Sequence, residues 1–110
     1  MNAVESIMLQ DKIINDVLRN TYDPEIPVNI YELGLIYGVD VNPETGVVHV
    51  RMTLTSPGCP AAISLPGEVE DKIRRLGVPD IKDVQIDIVW EPPWEPSKMS
   101  EAARLQLGMF

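Results

Sequence analysis

The chain has 110 residues, 45% of them apolar and 24% charged, which is enough for one compact core and unlike the highly charged make-up of disordered chains. Seventeen acidic residues against nine basic ones leave a net charge of −8, so nothing draws it to phosphate backbones or anionic lipid, and neither nucleic acid nor membrane is an expected partner. A single cysteine rules out an intramolecular disulfide and a zinc site made of several thiolates from one chain. With no long apolar run and no basic-then-apolar leader, the expected location is the cytoplasm.

Residues 3–20 open the chain with apolar positions at four-residue spacing, Leu9, Ile13 and Val17 among them, which predicts an amphipathic helix. Asn2 and Glu5 stand at capping-box spacing, and Ser6 offers a second possible start one turn later. Asp23-Pro24-Glu25-Ile26-Pro27 ends that helix, because proline has no amide hydrogen to give and restricts the residue before it. The stretch from 21 to 34 is too apolar for a flexible linker and reads as an ordered connector.

Residues 35–41 and 47–55 flank Asn42-Pro43-Glu44-Thr45-Gly46 and predict a β-hairpin. In its second strand Val48, Val50, Met52 and Leu54 alternate with His49, Arg51, Thr53 and Thr55, which assigns the threonines to a polar face. Helical spacing returns at Ala62, Leu65, Val69, Ile73 and Leu76, with Pro66 as an expected kink and Gly77 as the stop. Residues 81–91 predict a third strand. Pro92-Pro93-Trp94-Glu95-Pro96 then breaks regular structure, and Ser97 or Ser100 can cap a short last helix. The tail from 91 to 110 carries enough apolar residues to be expected docked on the body, with Trp90 locking it and Trp94 free for either role. The order α-β-β-α-β predicts a two-layer α+β domain, with helices on a three-stranded sheet and a short C-terminal helix.

Chemistry is expected at Thr55-Ser56-Pro57-Gly58-Cys59-Pro60, between the second strand and the second helix. Pro60 fits a first helical position, which puts Cys59 at the N-cap, where free amides and the helix dipole favour a thiolate. Gly58 permits close backbone approach, while Thr53, Thr55 and Ser56 supply hydroxyls. The plain alternative is that Cys59 is a small residue filling a loop. Asp23, Glu25 and Glu32 form an acidic set that can orient a ligand or move a proton. Their simpler roles are a turn for Asp23 and solvated carboxylates for Glu25 and Glu32, the last favoured for Glu32. His49 lies about 20 Å of extended strand from that loop and reads as a surface residue.

Residues 23–37 (Asp23-Pro24-Glu25-Ile26-Pro27-Val28-Asn29-Ile30-Tyr31-Glu32-Leu33-Gly34-Leu35-Ile36-Tyr37) resemble the opening signature of the SufT- and PaaD-like family of iron–sulfur cluster assembly factors. Leu54-Thr55-Ser56-Pro57-Gly58-Cys59-Pro60 resembles its second signature. Val89-Trp90-Glu91-Pro92-Pro93-Trp94 with Met99-Ser100-Glu101 resembles its third. PaaD-type members carry extra C-terminal cysteines that this chain lacks, so the resemblance is SufT-like. It implies an accessory factor for cluster assembly or transfer, non-catalytic, whose reactive cysteine maps onto Cys59. The family's acidic turn maps onto Asp23 and Glu25, and its polar neighbours onto Asn29, Thr53 and Thr55. Expected partners are iron–sulfur client proteins and cluster scaffold or carrier proteins. One thiolate is too few for a cluster that usually takes four protein ligands, so a transient cluster shared between chains or with a client is implied, and a homodimer is the simplest way to share it. Ile26, Val28, Ile30 or Trp94 would add apolar area to that interface. The alternatives are a thiol enzyme with Cys59 as nucleophile and Asp23 or Glu25 as base, a PaaD-like subunit of an aromatic-ring hydroxylation system, and an interaction module using the Pro/Trp segment.

Overall fold

A computed structural model describes residues 1–55 and 63–108. Helix α1 spans Ala3–Asp16 and is followed by a 3-10 turn at Leu18–Asn20, so the first helical run is shorter than its periodicity suggested. Its start is Asn2, where the capping box is complete: Asn2 Oδ1 accepts from Glu5 N at 2.8 Å and Asn2 N donates to Glu5 Oε1 at 3.2 Å. Strands β1 (Ile36–Val41) and β2 (Val47–Met52) pair antiparallel. The hairpin turn holds because Asn42 Oδ1 accepts from the amides of Glu44 and Thr45. Gly46 sits at φ +74°, with a would-be Cβ only 2.4 Å from Asp80 O, so no other residue fits there without displacing backbone.

Helix α2 runs Leu65–Arg74, strand β3 Asp83–Ile88 and helix α3 Glu101–Gln106. Strand β3 lies parallel to β2, giving the sheet order β1-β2-β3 with β2 in the centre. The fold is therefore α+β with a mixed three-stranded sheet. Parallel neighbours need a crossover, and α2 supplies it. Pro66 occupies the first positions of α2, where its missing N–H costs nothing; Ile63 is helical and Ser64 a turn, so the helical run is interrupted just ahead of Pro66 and restarts at Leu65, and Ala62, taken as part of the helix, lies outside the described residues.

The core forms between the helices and one sheet face: Leu9 and Ile13 of α1, Val48, Val50 and Met52 of β2, and Val69 and Ile73 of α2 are all buried. Helix α1 packs on β1 and α2 on β3. Among the described residues no helix is long and apolar enough to cross a membrane.

The tail lies against this body. Trp94 Nε1 donates to Leu33 O at 2.8 Å, Ser100 N donates to Glu32 O at 2.8 Å, and Met99 and Ala103 are buried. Gly34, at φ +86°, lets the tail pass so closely that a Cβ would stand 2.3 Å from Lys98 O. Trp90, expected as the lock, is 44% exposed, because β3 ends at Ile88 and Trp90 lies outside its alternation. Trp94 fixes the tail in its place.

Candidate functional site

In an open sheet with parallel strands, ligands gather beyond the carboxyl ends of those strands. Here that end of β2 is where the chain departs toward α2. The strand leaves its ladder at Met52, and Thr53 N bonds instead to Leu35 O at 2.8 Å. Alternation is lost with it: Met52, Thr53 and Leu54 are all buried, so Thr53, expected on a polar face, is 0% exposed. Its Oγ1 has no hydrogen-bond partner among the described residues. Thr55, half-buried, is the last described residue before the loop. Ser56, Gly58 and Cys59, with the expected N-cap geometry at Cys59 and Pro60, lie outside the described residues.

The connector forms a second wall. A bridge pairs Tyr22 with Asn29 and closes the intervening residues into a tight loop. Asp23 Oδ1 accepts from Glu25 N at 2.8 Å and Ile26 N at 3.1 Å, which an Asp-Pro-Glu run favours because Pro24 presets the turn. Asp23 is only 5% exposed, yet its Oδ2 has no partner among the described residues. Glu25 is exposed on the same turn. Asn29 Oδ1 accepts from Glu32 N at 2.9 Å and so shapes the following turn. Three backbone bonds, Thr53 N to Leu35 O, Leu35 N to Ile30 O and Ile30 N to Thr21 O, tie the end of β2 to this loop.

Lys72, which the sequence did not single out, donates from α2 to Asn20 O at 3.0 Å and to Thr21 Oγ1 at 3.1 Å. Helix α2 is thereby fastened to the chain just before Asp23. A lysine three residues after Val69 and one before Ile73 carries no sequence signal of its own; only the fold brings it to Thr21.

Glu32, read as a solvated carboxylate, is engaged. It pairs with Arg19, whose guanidinium also lies 4.6 Å over the Tyr31 ring. Hydrogen bonding to Ser100 foremost holds its carboxyl below the usual range; burial opposes this next, and the hydrogen bond and charge of Arg19 add to the lowering. His49 pairs with Asp87 across the sheet and stands opposite Asp40. Val28 and Ile30, expected to lend area to an interface, are 1% and 0% exposed and belong to the core; Ile26 and Trp94 are half-buried.

Beside the β2 end, Leu54, Thr55, Trp90, Pro93 and Trp94 line a cavity of about 340 Å³. Asp23, Glu25 and Asn29 thus share one turn, while Thr53 and Thr55 share the strand exit. Among the described residues no set of three or more His, Cys, Asp or Glu side chains is placed to hold a metal ion.

A mixed three-stranded sheet whose central strand ends next to an Asp-Pro-Glu turn, with two buried oxygens that have no partner among the described residues, defines a small α+β domain with its candidate site at that strand end. Residues 11–88 match the family described as iron-sulfur cluster assembly protein, and the chain belongs to that family. It is 48% identical over 106 residues to the Fe-S protein maturation auxiliary factor of Porphyromonas gingivalis, covering 96% of this chain and 97% of that one. It is 42% identical over 87 residues to the Fe-S protein maturation auxiliary factor SufT of Staphylococcus aureus, covering 79% and 96%. Among solved structures, a domain of unknown function from Bacillus anthracis superposes with a TM-score of 0.84 at 34% identity, covering 99% of this chain and all of that one.

Proposed function

We propose that this protein is a non-catalytic accessory factor in iron–sulfur cluster assembly, in which the Cys59 thiolate takes hold of a cluster, or of the iron and sulfide that form one, as cargo on its way to client proteins. The observation that supports it is the pair of buried oxygens, Asp23 Oδ2 and Thr53 Oγ1, that have no hydrogen-bond partner among the described residues, on two segments tied by backbone bonds at the strand end from which the chain runs on toward Cys59. A buried polar group left unpaired costs about 1–3 kcal/mol, so such groups call for an explanation beyond packing. A carboxylate oxygen can accept a proton or face iron, and a hydroxyl can donate to sulfide or thiolate sulfur. Names carried by relatives agree with this reading, since they are maturation auxiliary factors.

One thiolate per chain bounds the mechanism. A cluster held through Cys59 needs its remaining ligands from a second copy, a small thiol or the client, and release follows once better ligands replace them. Asp23 keeps its turn rigid through Oδ1 and so presents Oδ2 at a fixed position. Lys72 holds α2 to Thr21, two residues before Asp23.

The test is replacement of the chromosomal copy by Cys59→Ser at equal protein level. Activity of iron–sulfur enzymes should fall as in a deletion, while iron-free enzymes are unaffected; full client activity with Cys59→Ser would reject the thiolate role.

A further inference from the structure

The third signature has a geometry that its role in fixing the tail does not account for. Trp94 is spent on the body through its bond to Leu33 O, but Trp90 makes no such bond and is 44% exposed. Between the two rings and Pro93 lies the 340 Å³ cavity, floored by Leu54, which is only 5% exposed. Small-molecule sites run from about 300 to 1,000 Å³, so this one is at the lower limit and has room for one large side chain. A tryptophan kept half in water beside such a cavity is the residue type that anchors protein contacts, because it offers much area for little loss of freedom.

Charge selects the occupant. Glu91 and Glu95 flank the lining residues, both are exposed, and neither has an ion-pair partner among the described residues. Their combined field reaches Tyr37, whose phenol is pushed up first by burial and then by Glu91 and Glu95. The nearby cations lie on one side: Lys98, over the Tyr37 ring at 5.3 Å, and Arg51, 3.7 Å from Asp40, line a neighbouring cavity with Glu91, which leaves Glu95 as the carboxylate next to Trp94 that shares no cavity with them. With a net charge of −8, a second copy of the chain meets this rim as like charge.

We propose that the slot between Trp90 and Trp94 is a docking site for a partner protein segment that inserts one aromatic or large aliphatic side chain flanked by lysine or arginine. This rests on the assembly-factor reading, since it supplies how a client or scaffold is held beside the strand exit from which the Cys59 loop departs.

A fluorescently labelled hexapeptide with a central phenylalanine between lysines is the probe, read by anisotropy and by shifts of the Trp90 and Trp94 indole N–H resonances. Two controls replace the phenylalanine by alanine and the lysines by glutamates. Binding should be at least about tenfold weaker for either control and for Trp90→Ala, a substitution at an exposed site that leaves the core intact. The double variant Glu91→Gln/Glu95→Gln should bind several-fold more weakly and lose most of its salt dependence. Equal binding of either control peptide, or unchanged binding by Trp90→Ala and by the glutamine variant, overturns the proposal. So does a self-dimer that the peptide or Trp90→Ala merely splits, which would make a second copy the occupant. Cys59→Ser separates the two levels: it should leave peptide binding intact, and if it also leaves client enzymes active, the thiolate role fails while the docking result stands.

Discussion

Three residues carry the account, and each can be probed singly. Cys59 follows Gly58 and precedes Pro60, an order that in sequence suits a helix start, where a thiol ionises more easily than a free one. Its rate of alkylation against pH should therefore show a midpoint below the ordinary value of about 8.5; a midpoint at or above that value would remove the activated thiolate. Thr53 holds a buried hydroxyl with no partner among the described residues, so Thr53→Val should raise stability by about 1 kcal/mol while lowering client maturation. Urea unfolding together with enzyme activities in cells measures both, and a destabilised Thr53→Val would show that the hydroxyl is already satisfied. Asp23→Ala should destabilise by about 1–2 kcal/mol through its turn, whereas Asp23→Asn keeps the Oδ1 acceptor and should retain most of that stability.

At the scale of elements, the connector and tail are clamped by Glu32, which meets Arg19 from the first 3-10 turn and Ser100 from the cap of α3. Its carboxyl titrates lower in the folded protein than in the unfolded chain. The stabilisation it gives is thus fully present above the unfolded value, near 4.3, and fades as pH falls through the folded one. Glu32→Gln should cost about 1 kcal/mol at pH 7 and progressively less below pH ~4.3, measured by urea unfolding at stepped pH. A cost independent of pH would mean the side chain acts by packing alone. Much of this level was legible in the sequence: Asn42 and Gly46 mark the hairpin turn, while Asn2 is one of two possible starts for α1 and Ser100 one of two possible caps for α3, and the structure selects them. The illegible parts share one cause, that strands end where tertiary bonds take over. Thr53 continues the polar alternation in sequence, but its amide turns to Leu35 and its side chain goes inside. Trp90 continues the apolar alternation, yet β3 stops at Ile88 and leaves it outside. Glu32 gives no hint of Arg19, thirteen residues earlier, or of Ser100, because ion pairs between loops follow no period.

For the whole molecule, the ligand count decides how it works. Under the proposed role, a chain with one cysteine and no metal-holding group of side chains among its described residues takes the rest of a cluster's ligands from elsewhere. Self-association is the simplest source, and its interface cannot draw on Val28 or Ile30, which the core already uses. Sedimentation at micromolar concentration should show a monomer without iron and sulfide and a dimer with them, and a strict monomer in both conditions would assign the missing ligands to the client or to a small thiol. The central claim, that Cys59 holds a cluster as cargo, is met most directly by anaerobic reconstitution with iron, sulfide and a small thiol, followed by visible absorption of the wild type and Cys59→Ser. The account predicts a charge-transfer chromophore in the wild type that Cys59→Ser lacks; no chromophore in the wild type, or an equal one in both, would contradict it.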